Sequence, residues 1–194
     1  MDKGDNKMKL WKTITIAAIA LCIFNVSLYA SEIHEAVKNG NLEKVKALLE
    51  DNPELLNEKD SQGFTPLHSA VTNGRINIIR FLIEKGADIE IKNNNGLSPL
   101  FTALDRGRDP AAHLLIEKGA DVNVKGFRNR TLLHTAARTG NIRVARLLVN
   151  HGAEINARDS QGYTPLDLSL SSGQPGTARF LKENRGSVNT FITG

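Results

Sequence analysis

A chain of 194 residues holds one domain, two at most. With 40% apolar and 24% charged residues it is neither collagen-like, nor only coiled coil, nor fully disordered. Its single cysteine excludes an intramolecular disulfide framework and a thiolate zinc cluster, and a formal charge of +4 with 5% aromatic residues gives no footprint for nucleic acid.

The first thirty residues differ from the rest. Lys3, Lys7, Lys9 and Lys12 precede eighteen uncharged residues running from Thr13 to Ala30. A basic start, an apolar centre and a small final residue are the layout of a secretory signal peptide, with cleavage expected after Ala30, although Leu28 is large for its place. Met8 offers a second start that opens M-K-L-W-K. An uncleaved membrane anchor is the alternative, because the run approaches the length of a spanning helix. Asn25, Ser27 and the short apolar centre favour the signal peptide. Attachment through a lipidated Cys22 is disfavoured by Leu21, which stands where a small residue belongs. In the signal and anchor readings alike the lysines stay in the cytoplasm and the remainder is exported. Loss of residues 1–30 leaves 21 basic and 19 acidic residues, a net charge of +2, and neither cysteine nor tryptophan.

From residue 32 to 186 the chain repeats with a period of 33. Asp60 opens D-S-Q-G-F-T-P-L-H-S-A-V-T-N-G, and Asn93, Gly126 and Asp159 open matching segments without gaps. Thr65 and Thr164 are expected to cap short helices, with Pro66, Pro99 and Pro165 at the first helical position, where no N–H is needed. Leu67, Ala70 and Val71 share one face, and Gly74 ends the helix. A second helix places Ile76, Ile79, Leu82 and Ile83 inward and stops at Gly86. In the next unit Asp109-Pro110 supplies that helix with a cap and a first residue. The stretch from Ala87 to Gly96, rich in Asp and Asn, turns the chain into the following unit.

T-P-L-H at 65–68 with G-A-D-I-E at 86–90, echoed at 98–101 and 119–123, by T-L-L-H at 131–134 with G-A-E-I-N at 152–156, and by T-P-L-D at 164–167, resembles the ankyrin repeat over about four fifths of the chain. The resemblance implies an all-α solenoid of helix-turn-helix units with projecting β-turn fingers. Its expected units are 31–59 (a capping helix pair), 60–92, 93–125, 126–158 and 159–186 (a C-terminal capping repeat), followed by a frayed tail at 187–194. Phe101 and Asp167 replace the histidine of the motif, Leu132 replaces its proline and Asn129 replaces the turn glycine; asparagine tolerates a left-handed backbone. Glu32, Glu35 and Lys38 would make one end polar and Lys182 the other, as a soluble solenoid needs.

Chemistry is thin. Of His34, His68, His113, His134 and His151, two belong to the T-P-L-H turns, where the resemblance implies hydrogen bonds bracing adjacent turns. No metalloprotease, nucleophile-elbow or P-loop pattern occurs, so neither catalytic residues nor a metal or cofactor is expected. N-R-T at 129–131 is formally a glycosylation sequon, without meaning in a bacterial envelope.

The resemblance implies that fingers and first helices together hold partners. The residue after each turn glycine is expected to point outward, giving a column of Phe64, Leu97, Arg130 and Tyr163, flanked in the third unit by Phe127 and Arg128. Aromatic and arginine side chains anchor interfaces, while the bland reading packs each aromatic on its neighbouring finger. Residues 31–59 carry a charge of −3, and the units 60–92, 93–125 and 159–194 are neutral. The unit 126–158 carries Arg128, Arg130, Arg138, Arg143, Arg146 and Arg158 against Glu154 alone, giving +5. Arg128, Arg130 and Arg138 would face the fingers and groove, Arg143 and Arg146 the outer helix. The expected protein is a monomeric, exported, periplasmic module without catalysis of its own. It would bind a protein partner that carries an acidic patch, through Phe64, Leu97, Phe127, Arg128, Arg130, Arg138 and Tyr163, and inhibit, protect or scaffold it. The alternatives are a secreted effector that binds a host protein and a subunit of an envelope enzyme.

Overall fold

The computed structural model describes residues 31–187. The expected signal segment at 1–30 and residues 188–194 of the expected tail lie outside the described residues. Among the described residues ten helices follow one another as hairpins: α1 (31–39) with α2 (Leu42–Asp51), α3 (Pro66–Thr72) with α4 (Ile76–Glu84), α5 (Pro99–Asp105) with α6 (Asp109–Glu117), α7 (Leu132–Thr139) with α8 (Ile142–Asn150), and α9 (Pro165–Ser171) with α10 (Pro175–Glu183). A 3-10 turn over Pro53–Asn57 closes the first pair. The odd helices stack as an inner layer (α3 on α5 on α7 on α9), and the even ones as an outer layer (α2 on α4 on α6, and α8 on α10).

The inner helices begin where the sequence says they should. Thr65, Ser98 and Thr164 accept the N–H of the third helical residue, and proline sits at the head of each helix. Thr131 caps α7 without a proline. Buried leucines run down the centre of the stack (Leu67, Leu100, Leu133 and Leu166), each contributing about 1.5–3 kcal/mol of apolar transfer. Two expectations change. Ile78, at 2% exposure, is buried beside Ile79 and Leu82, whereas Ile76 and Ile83 are only partly covered. Arg108, not Asp109, holds the N-cap position of α6. Asp109 lies inside the helix, and its carboxylate accepts from the Asn141 amide of the next unit at 3.1 and 3.2 Å.

Units are tied by contacts that recur along the stack. His68 Nε2 donates to Leu97 O at 3.0 Å, and His134 Nε2 donates to Tyr163 O at 2.9 Å, as the resemblance implied. In each ring Nδ1 accepts the N–H of its own cap, Thr65 or Thr131, so both imidazoles are neutral. His34 does related work in the first unit, with Nε2 to Glu58 O and Nδ1 to the Ser69 hydroxyl. Arg75 and Arg108 reach back to the carbonyls of Lys38 and Thr72 at the ends of the preceding inner helices.

A second series joins the loops that follow the outer helices. The N–H groups of Asp88, Asp121, Glu154 and Ser187 donate to the side chains of Asn57, Glu90, Asn123 and Asn156. Three acceptors are amides and one is a carboxylate. Burial, with the negative charges of Asp121 and Asp88, pushes the Glu90 carboxyl above its usual range. For an acid, a raised folded pKa means that the charged form costs stability, and that the cost fades as pH falls through the folded pKa. Glu90→Asn keeps the acceptor, removes the charge and supplies a donor like those Asn123 and Asn156 direct at Gly152 O and Arg185 O. We expect its melting temperature at pH 7 to rise by about 1–3 °C, and the gain to disappear near pH 4, in paired thermal melts.

The third finger and its candidate interface

Four fingers connect the hairpins, and three share one design. Asp60, Asn93 and Asp159 each accept two finger N–H groups on a side-chain oxygen, from Gln62 and Phe64, Asn95 and Leu97, and Gln161 and Tyr163. The third finger has Gly126 at this position and no side chain to offer. The reason lies one unit earlier. Phe101 stands where His68 and His134 stand in their own units, and its ring fills the space beneath Gly126. A Cβ at Gly126 would lie 2.7 Å from two ring carbons.

Without the side-chain brace the third finger turns differently. Gly126 N still pairs with Arg130 O, but Arg128 enters the left-handed region at φ 59°, ψ 32°, and Asn129 follows at φ 57°. Asparagine accommodates that conformation, whereas arginine is strained by roughly 1–2 kcal/mol. The strain is held by the fourth finger, where Ser160 N donates to Arg128 O at 2.8 Å. The result is a projecting tip. Phe127 is 78% exposed, and the Arg128 guanidinium lies 5.4 Å from its ring centre.

The other expected contact residues are placed less openly. Phe64 is half-buried, edge-on to His68 at 5.4 Å. Leu97 is half-buried against the core, and Tyr163 is half-buried above its own carbonyl's bond to His134. The outward column therefore does not stand clear of the surface; two of its members support neighbouring turns. Arg130 is the clearest correction. Its Nε donates to Asp159 at 3.1 Å, and the Asp159 side chain is 0% exposed, so Arg130 ties the third finger to the fourth instead of facing a partner. Burial by itself would raise the Asp159 carboxyl, but the N–H groups of Gln161 and Tyr163 and the arginine outweigh it and hold it low. Arg138 is exposed at the end of α7. Leu170, 48% exposed on α9, was not foreseen. Its counterparts Val71 and Ala137 are covered by the following unit.

Stacked helical hairpins with projecting turns define a class of solenoid that works by presenting an extended binding surface. The chain belongs to the ankyrin-repeat family. Models described as ankyrin repeats match residues 33–126 and 115–169. The chain is similar to human protein phosphatase 1 regulatory subunit 27, 44% identical over 62 residues, which are 32% of this chain and 40% of that protein. It is similar to the human NAD-capped RNA hydrolase NUDT12, 38% identical over 63 residues, 32% of this chain and 14% of the hydrolase. An ankyrin repeat protein of fowlpox virus is 39% identical over 72 residues, 37% of this chain and 16% of the viral protein. The chain thus spans less than half the length of each. As an ankyrin-repeat domain it is a protein-protein interaction module. Among the described residues no cluster of His, Cys, Asp and Glu is placed to hold a metal ion, and no helix is long and apolar enough to cross a membrane.

Proposed function

We propose that this chain is an exported, periplasmic binding protein that captures one protein partner on its third finger and does no chemistry of its own. The observation that carries the reading is Phe127. A large apolar ring is 78% exposed, on a finger whose arginine is strained, with the Arg128 guanidinium 5.4 Å from the ring centre. An aromatic anchor with a guanidinium beside it suits a partner surface with an apolar pocket and an acidic rim. Export rests on the basic start and the uncharged run from Thr13 to Ala30. The partner is inhibited, protected or scaffolded by being held.

The test is a photoreactive residue at position 127 in cells of origin, with an outer-layer control at position 113. A single protein is expected to cross-link from 127 and not from 113. The variant Arg128→Gly separates capture from stability. Glycine relieves the left-handed strain, so the domain should gain about 1 kcal/mol, or about 2–4 °C. Cross-linking should nevertheless fall about tenfold, because the guanidinium beside the ring is gone. The same adduct from both positions, or undiminished cross-linking in that variant, refutes the site. A chain recovered from the cytoplasm with residues 1–30 intact refutes export.

A further inference from the structure

From α4 onward each outer helix carries an exposed basic residue at its fifth position: Arg80, His113, Arg146 and Arg179, all 33 residues apart. Four residues further on, where opposite charges meet on a helix surface, three of these helices supply an acid: Glu84, Glu117 and Glu183. His113 Nδ1, for one, lies 3.3 Å from a Glu117 carboxylate oxygen. The helix α8 breaks the pattern. Asn150 stands in the place of the acid, Arg143 adds a second cation one turn before Arg146, and the helix holds no acidic residue. Among the described residues neither arginine has an ion pair. Both are exposed, and the Arg146 guanidinium lies 4.6 Å from the centre of the Phe180 ring on α10. Stacking holds that planar fork in place and leaves its N–H groups for an acceptor.

The two arginines border a groove of about 460 Å³ between α6 and α8, lined with Val144 and Leu147 from one helix and Pro110 from the other. Leu147 is half-buried and Pro110 exposed, so apolar surface stays open along the groove. Asp109 is the one acid on this lining, and its carboxylate is engaged by the Asn141 amide at 3.1 and 3.2 Å. A second apolar groove of the outer layer, between α2 and α4, lacks this bias. It mixes Glu50 with Lys46 and Lys85, and both lysines are engaged: Lys46 with Glu43 at 2.9 Å, and Lys85 over the Phe81 ring at 5.6 Å.

We propose that the groove between α6 and α8 is a second docking site, which takes an acidic segment of another protein. An apolar side chain of that segment seats against Leu147 and Pro110, and flanking carboxylates pair with Arg143 and Arg146. The charge of the groove selects the acids, and the fork of each guanidinium matches the two oxygens of a carboxylate. A nucleic acid would need an exposed ring on which to stack, whereas Phe180, the ring at this place, is buried beneath Arg146. The groove shares no residue with the third finger, so the two sites fill independently and the chain joins two proteins.

Fluorescence anisotropy on the chain as recovered from expressing cells tests this. The probe is a labelled peptide of about fifteen residues with leucine at every third or fourth position and glutamate between. One twin carries lysine for glutamate, another serine for leucine. The acidic peptide is expected to bind at micromolar concentration in low salt, at least tenfold more tightly than either twin. Its affinity should fall at least tenfold in about 0.5 M salt, where charges are screened within a few ångströms. Arg143→Glu/Arg146→Glu should lose the acidic peptide and take the lysine twin instead. Arg143→Glu by itself breaks no ion pair and sets an acid in the first turn of α8, where the helix dipole favours it. It should therefore bind the acidic peptide about tenfold more weakly while melting no lower than the parent, which excludes misfolding as the cause. The cross-link from position 127 reads the finger alone and should be unchanged in both variants. No binding of the acidic peptide at about 100 μM, undiminished binding in both arginine variants, or tighter binding of a single-stranded oligonucleotide of equal charge would overturn the proposal. So would loss of the peptide on Phe127→Ala, which would move it to the third finger.

Discussion

Gly126→Asp is expected to destabilise the domain by about 1–3 kcal/mol, although it restores the residue type found at the head of the first and fourth fingers. The Cβ would sit 2.7 Å from the Phe101 ring, and a packed ring in the inner layer has no free direction in which to move. Phe101→His alone removes ring volume and leaves the third finger unbraced. Made together, the two changes should recover most of the loss. The histidine can then donate to Arg130 O, as His68 does to Leu97 O, and the aspartate can accept the finger N–H groups, as Asp60 does. Equilibrium denaturation of the four proteins gives the coupling directly, expected at about 1–2 kcal/mol. Additive single effects would show that the third finger owes its shape to something other than Phe101.

The second large effect is acid sensitivity between pH 7 and 5. Burial lowers the pKa of His34, His68 and His134 below that of free histidine. For a base, a lowered folded pKa means that the unfolded chain binds protons first. Stability is then complete above the unfolded value near 6.5 and is lost as pH falls below it. The geometry gives the cause. Nδ1 of His68 and of His134 already accepts a backbone N–H at 3.2 Å, so a proton there would set donor against donor. Each histidine contributes a slope of up to about 1.4 kcal/mol per pH unit. The fourth unit has Asp167 in place of the histidine, accepting from Thr164 N at 2.7 Å. His68→Gln/His134→Gln should lower stability at pH 7, because glutamine can cap but cannot span to the next finger. It should also remove about two thirds of the decline between pH 7 and 5, read from chemical melts at each pH. An undiminished slope in that variant would assign the acid response elsewhere.

Much of this protein is legible in its residues. The 33-residue period, the Thr-Pro helix starts, the left-handed glycines and the alternation of buried leucines are local signals, repeated until they cannot be mistaken. Even the left-handed Asn129 follows from asparagine replacing glycine. What the sequence hides are relations between positions 25–33 residues apart. Nothing in the string shows that Phe101 lies under Gly126, that Asp159 engages Arg130, or that Glu90 occupies a rung where its neighbours are amides. The candidate interface depends on those relations. Phe127, Arg128 and Arg130 look alike as exposed finger residues, yet one projects, one is strained and one is spent on a buried carboxylate. Repetition fixes the scaffold because each unit specifies its own hairpin. The surface is decided only when units stack, because each finger is shaped by the side chains of the unit before it and braced by the unit after.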